Sequence, residues 1–68
     1  MHLKLIQELQ LQYWDQIRII KSNGNSFVAN YKRLNITKME YWNCSSGNHE
    51  ILEIDSIQNI AILNRNDV

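Results

Sequence analysis

The sequence predicts an α+β domain, mainly β: one N-terminal helix followed by five short strands curled into a small barrel. Three observations lead there. The opening residues are good helix formers, with no Gly or Pro among them. The remainder alternates apolar and polar positions in short runs, each bounded by Asn, Ser or Gly, which is how half-buried strands and their turns read. The chain has only 68 residues, too few for two packed sheets, so a single sheet must curl on itself to protect its edges.

The helix is assigned to residues 3–14, "LKLIQELQLQYW". Leu5, Ile6, Leu9 and Tyr13 recur at helical spacing and make one apolar stripe that caps the barrel. A strand competes for part of this segment, because Leu9, Leu11 and Tyr13 also alternate with Gln10 and Gln12. The scarcity of β-branched residues favours the helix.

The strands fall within residues 16–63. In "QIRIIK", Ile17 and Ile19 alternate with Arg18. "SNGN" follows, and Asn23-Gly24 predicts a two-residue hairpin turn of type I′, which requires positive φ at both positions. "SFVANY" returns with Phe27, Ala29 and Tyr31 on one face and Val28 and Asn30 on the other. "YKRLN" is the next turn. "ITKMEYWNC" is the third strand, with Thr37, Met39 and Tyr41 facing one way and Ile36, Lys38, Glu40 and Trp42 the other. "SSGN" turns into "HEILEID", the fourth strand. "SIQN" makes one tight helical turn, "IAIL" is the last strand, and residues 64–68 form a polar tail that frays. The expected core is Leu9, Ile17, Ile19, Phe27, Ala29, Met39, Ile54 and Ile60. One domain spans residues 1–68; at this size a fold buries only about 60% of its unfolded surface, so its stability is slender.

Composition narrows the function. Seven acidic residues balance seven basic ones, without the basic excess of a duplex-DNA binder. A lone Cys44 excludes an internal disulfide, and "MHLKLIQELQLQ" has no apolar run fit for a signal peptide or a membrane span. The cytoplasm is the expected compartment.

The residues needed for chemistry do not converge. Cys44 and His49 flank one turn, but hairpin geometry alone brings them near, and no third group orients them. His2, Cys44 and His49 lack metal-ligand spacing. Glu53 and Asp55, two apart on a strand, solvate its outer face. The expectation is therefore a protein that is not an enzyme and holds no cofactor and no metal. Binding is better served. Tyr31, Lys32, Arg33, Lys38 and Trp42 gather around the second hairpin, and cations interleaved with aromatics suit single-stranded nucleic acid or an anchored protein contact. The competing reading makes Tyr31 and Tyr41 core residues and leaves Lys32 and Arg33 as decoration of a turn; Trp42, on the face opposite Tyr41, discriminates between the two.

A helix, five bent strands and a short turn before the last strand resemble the Sm-like or SH3-like small barrel. "QIRIIKSNG" and the closing "HEILEIDSIQNIAIL" look similar to the Rho-binding antiterminator family. The closing strand, Asp-x-Ile step and apolar strand also look like the WYL domain, and the overall order looks like the YolD-like family. The Trp-Tyr-Leu signature is absent, since Tyr41-Trp42-Asn43 stands here, and the chain is neutral where the antiterminators are acidic. The resemblance implies a non-catalytic regulatory module that binds a protein partner in transcription or RNA metabolism, with an RNA-binding barrel as the alternative. Neither reading involves a membrane. "IAIL", apolar on both faces, adds the expectation of a homo-oligomer formed by strand pairing.

Overall fold

The computed structural model describes residues 1–66. It contains a short helix α1 (Leu3–Glu8), strands β1 (Gln16–Lys21), β2 (Ser26–Leu34), β3 (Lys38–Asn43) and β4 (Asn48–Glu53), a 3-10 turn η1 (Ile54–Ser56), and strand β5 (Ile57–Asn64). All five strands join one antiparallel sheet in the order β4-β3-β2-β1-β5. No pairing joins β4 to β5 among the described residues, so the expected closed barrel gives way to a sheet with two edges. No described helix is long and apolar enough to cross a membrane.

The inner face carries the core. Ile17 and Ile19 from β1, Ala29 and Tyr31 from β2, Met39 and Tyr41 from β3, and Ile57 and Ile60 from β5 are buried there, with Ile6 from α1 and Ile54 from η1. The period-two burial of β1 and β3 follows their sequence alternation directly. Leu9 and Phe27, expected in the core, are half-buried and pack against it. Ile6 and Ile57 complete it in their place, and the phenol of Tyr41 stays within reach of Phe27, ring centroids 5.3 Å apart.

The helix is half as long as its sequence suggests. Gln10 adopts φ +53, and this left-handed residue ends the helix just past Leu9. The expected stripe breaks with it: Ile6 is buried and Leu9 half-buried, while Leu5 and Tyr13 are exposed. Residues 11–15 instead form a turn that feeds β1. The Asp15 N–H donates to the Gln12 carbonyl at 3.0 Å, and Trp14 and Asp15 together face Tyr31 of β2. Trp14 N–H donates to the Tyr31 carbonyl at 2.6 Å, and Tyr31 N–H donates back to the Asp15 carbonyl at 2.9 Å. Two residues opposite one make a β-bulge.

Other turns depart from expectation for similar local reasons. In the first hairpin only Gly24 takes positive φ, +91. Gly24 N–H donates to the Lys21 carbonyl, and Lys21 N–H to the Asn25 carbonyl. The loop is therefore a turn followed by a left-handed glycine, not the two-residue type I′ turn. β2 runs through "YKRL" because the ladder shifts register between Tyr31 and Arg33, leaving Lys32 as an extra residue. The turn falls at residues 35–37, where the Asn35 Oδ1 accepts N–H bonds from Thr37 at 2.9 Å and Lys38 at 2.8 Å. The 3-10 turn lies at Ile54–Ser56 rather than in "SIQN", so Glu53 ends a strand and Asp55 sits in a turn; the two carboxylates do not share a strand face. β5 is an edge strand with Ala61 and Leu63 exposed, so "IAIL" is not covered on both sides.

The expected frayed tail is anchored as far as it is described. Arg65 Nη1 donates to Asp15 Oδ2 at 3.1 Å and to the Gln10 carbonyl at 2.9 Å, and its Nη2 reaches the Leu9 carbonyl. Asn66 N–H donates to Asp15 Oδ1 at 2.7 Å, and its side-chain amide to the Tyr13 carbonyl. The Asp15 carboxylate is 0% exposed and also accepts the Gln12 N–H at 2.8 Å. Burial pushes its pKa up, but the N–H bonds from Asn66 and Gln12 and the Arg65 guanidinium outweigh that and hold it below the usual carboxylate value. The remainder of the expected tail, residues 67–68, lies outside the described residues.

Candidate functional site: an aromatic corner on the outer face

The outer face of the sheet is ordered by strand register. Gln16, Asn30, Trp42 and His49 follow one another across β1, β2, β3 and β4. The next row holds Arg33, Glu40 and Ile51. Trp42 is half-buried between its cross-strand neighbours Asn30 and His49. Tyr31 is not part of this surface: it points inward, buried opposite Tyr41. Burial raises the pKa of its phenol, as it does that of Tyr41, where the nearby Glu50 carboxylate adds to the effect.

The cations of the second hairpin are mostly occupied. Arg33 stands opposite Glu40 in register and binds it with two guanidinium nitrogens, Nε to Oε2 and Nη2 to Oε1 at 3.2 Å. The hydrogen bond from Arg33 is what chiefly holds the Glu40 carboxyl below its ordinary pKa. His49 Nε2 lies 3.5 Å from the same carboxylate. Lys38 sits 3.9 Å from Glu53. Lys32, the extra residue of β2, has no ion-pair partner among the described residues.

Two aromatic residues that the sequence placed in a helix belong to this face. Tyr13 is 63% exposed and Trp14 38%, with ring centroids 5.5 Å apart and planes inclined by 31°. On the Tyr13 side a cleft of about 370 Å³ is lined by Lys32, Arg33, Glu40 and His49. On the Trp14 side a smaller cleft of about 240 Å³ is lined by amides, from Gln16, Asn30, Asn64 and Asn66, and by Arg65. Trp14 has φ +71. It is the third residue of the turn closed by the Gln12 carbonyl and the first residue of the bulge, both positions that favour glycine. A bulky side chain in the left-handed region costs about 1–2 kcal/mol. The fold holds a tryptophan where glycine would be easier, and leaves the residue partly exposed beside Tyr13.

A second polar cluster lies where the inner face meets the β3–β4 turn. Glu50 accepts from the Asn43 amide at 3.0 Å, from the Tyr41 hydroxyl at 3.2 Å and from the Ser46 hydroxyl at 3.1 Å. The Asn43 bond contributes most to holding the Glu50 pKa below its usual value. Asn43 Oδ1 in turn accepts the N–H groups of Ser45 and Ser46. Each member serves the turn, so the cluster reads as structural. His49 turns toward Glu40. Among the described residues no three His, Cys, Asp or Glu side chains are grouped to hold a metal ion. A hollow of about 650 Å³ opens between the start of α1, the β2–β3 turn and η1, with His2, Glu53 and Asp55 among its lining residues.

The chain matches no protein-family model, no curated protein and no solved structure. The class that fold and face define is a small, mainly β domain bearing an aromatic corner with a mixed-charge rim.

Proposed function

We propose that this protein is a non-catalytic regulatory module that binds a protein partner through the outer face of β2–β4 and the Tyr13–Trp14 corner. One observation carries the reading: Trp14 is kept, solvent-exposed, in a backbone slot that disfavours it, and strain retained beside an exposed aromatic pair marks a recognition site. Trp42 supplies a second anchor, with Lys32, Arg33, Glu40 and His49 as a rim of both signs. Phosphate recognition draws less support, since Arg33 and Lys38 already face carboxylates. The resemblance of "QIRIIKSNG" and "HEILEIDSIQNIAIL" to the Rho-binding antiterminators makes a machine of transcription or RNA metabolism the expected target. The same reading takes the bent sheet as an Sm-like barrel left open between β4 and β5, which the order of helix, four strands, 3-10 turn and last strand supports.

The test measures binding of purified Rho and of a single-stranded RNA, side by side, across a salt series. Binding to Rho with shallow salt dependence, weakened at least tenfold by Trp42→Ala or Trp14→Gly, is the expected result. Steep salt dependence with RNA alone supports the nucleic-acid alternative. Variants that stay folded and bind unchanged move the site elsewhere.

A further inference from the structure

The two edges of the sheet are built differently. The ladder between β5 and β1 jumps register twice: the partner passes from Asn64 to Ile62 at one end and from Asn59 to Ile57 at the other. Leu63 and Gln58 are the skipped residues, so β5 carries a bulge near each end, a common way of blunting an edge. β4 pairs with β3 residue for residue from Asn48 to Glu53, without a shift. It has no Pro, no Lys and no bulge, and no other strand among the described residues covers its outer edge. Its side chains on the outer face are His49, Ile51 and Glu53, all exposed, Ile51 at 57%.

We propose that β4 pairs antiparallel with β4 of a second copy of this chain, about a two-fold axis that passes at Ile51. Symmetry restricts the choice. An isologous pair about an axis normal to the sheet sets one residue opposite itself, and its neighbours follow in mirror order. Only Glu50 or Ile51 is central enough to keep most of the six-residue strand paired. Centring on Glu50 brings two carboxylates together, which is unfavourable across strands. Centring on Ile51 places Ile51 against Ile51, His49 against Glu53 and Glu53 against His49. The exposed apolar residue is then covered by its own copy, and an imidazole stands opposite a carboxylate on either side of it. In the monomer these flanking groups are only loosely held, Glu53 at 3.9 Å from Lys38 and His49 at 3.5 Å from Glu40. The contact uses the strand edge and does not depend on which partner the aromatic corner takes.

Cysteine cross-linking tests the register. Directly opposed residues of an antiparallel pair lie about 4.5–5.5 Å apart at Cα, within the span a disulfide bridges. In a Cys44→Ser background, Ile51→Cys should give a disulfide dimer under mild oxidation, and Ala61→Cys on β5 should not. Sedimentation equilibrium of the unmodified chain should show monomer and dimer in exchange. Ile51→Lys, which places two ammonium groups on the axis at an exposed position, should raise the dissociation constant at least tenfold while circular dichroism stays unchanged. Three results would overturn the proposal: a monomer at every concentration, a dimer indifferent to Ile51→Lys, or cross-linking between Ile51→Cys and Ala61→Cys chains in preference to Ile51→Cys alone, the sign of head-to-tail pairing.

Discussion

Replacing Asp15 with Ala removes the acceptor of three hydrogen bonds, from Gln12 N–H, Asn66 N–H and the Arg65 guanidinium. Hydrogen bonds to a charged group contribute about 1.5–3 kcal/mol each, and the cost of burying the carboxylate, which the substitution recovers, offsets part of the sum. The Arg65 contact counts for least, because its side chain is 44% exposed and water screens it. A net loss of about 3 kcal/mol follows. A chain of this length has only roughly 3–10 kcal/mol in total, so Asp15→Ala should lower the melting temperature by about 10 °C or more. Asp15→Asn should be nearly as harmful, since its amide nitrogen must face at least one N–H donor. Urea unfolding followed by tryptophan fluorescence measures both, with Trp14 adjacent as a reporter. The pH dependence provides the sign. The folded-state pKa of Asp15 lies below its unfolded value, so its contribution is fully present above the unfolded value of about 3.9. It fades as pH falls through the folded value. The gap between the native chain and Asp15→Asn should therefore narrow below about pH 4. A loss under about 1 kcal/mol, or a gap that does not change with pH, would refute the reasoning.

The other predictions concern the turns. Trp14→Gly should be more stable than Trp14→Ala by about 1 kcal/mol, because glycine relieves the left-handed strain while alanine only loses the ring; chemical denaturation read by circular dichroism decides the order, and an alanine variant at least as stable removes the strain argument. Gly24→Ala should cost about 1 kcal/mol by the same measurement, purely through its φ of +91, since an added Cβ would meet nothing within 4 Å. Asn35→Ala, which strips the β2–β3 turn of its side-chain acceptor, should cost about 1–2 kcal/mol. Above about pH 10 stability should fall in a spectrophotometric titration, because burial raises the Tyr41 pKa in the fold and the phenol that is buried neutral ionises first in the unfolded chain.

Strand alternation made much of this fold legible. Period two alone points Ile17, Ile19, Ala29 and Met39 inward, and all four are buried. The helical spacing of Leu5, Leu9 and Tyr13 overstates the helix, because Gln10 ends it by a left-handed backbone turn that no composition announces. The competing strand pattern of Leu9, Leu11 and Tyr13 does not hold either, since β1 begins only at Gln16. Trp42 was readable as an outward residue from the alternation of β3. The Tyr13–Trp14 corner was not, because the positive φ of Trp14 is enforced by contacts from Gln12 and Tyr31. Asp15 carries no local signal for a related reason: its guanidinium partner lies 50 positions away in the chain, beyond any local pattern.

That separation has a consequence for synthesis. A ribosome releases β1 through β4 first, and these strands can zip as successive hairpins. β1 then waits with one side bare, because its second neighbour, β5, is the last strand to emerge. The Asp15 carboxylate is equally stranded until Arg65 and Asn66 arrive. Vectorial folding of this chain is therefore expected to stall at a four-stranded meander and to finish only after residue 66 clears the exit tunnel. A nascent chain arrested a few residues earlier would expose β1 to any passing strand.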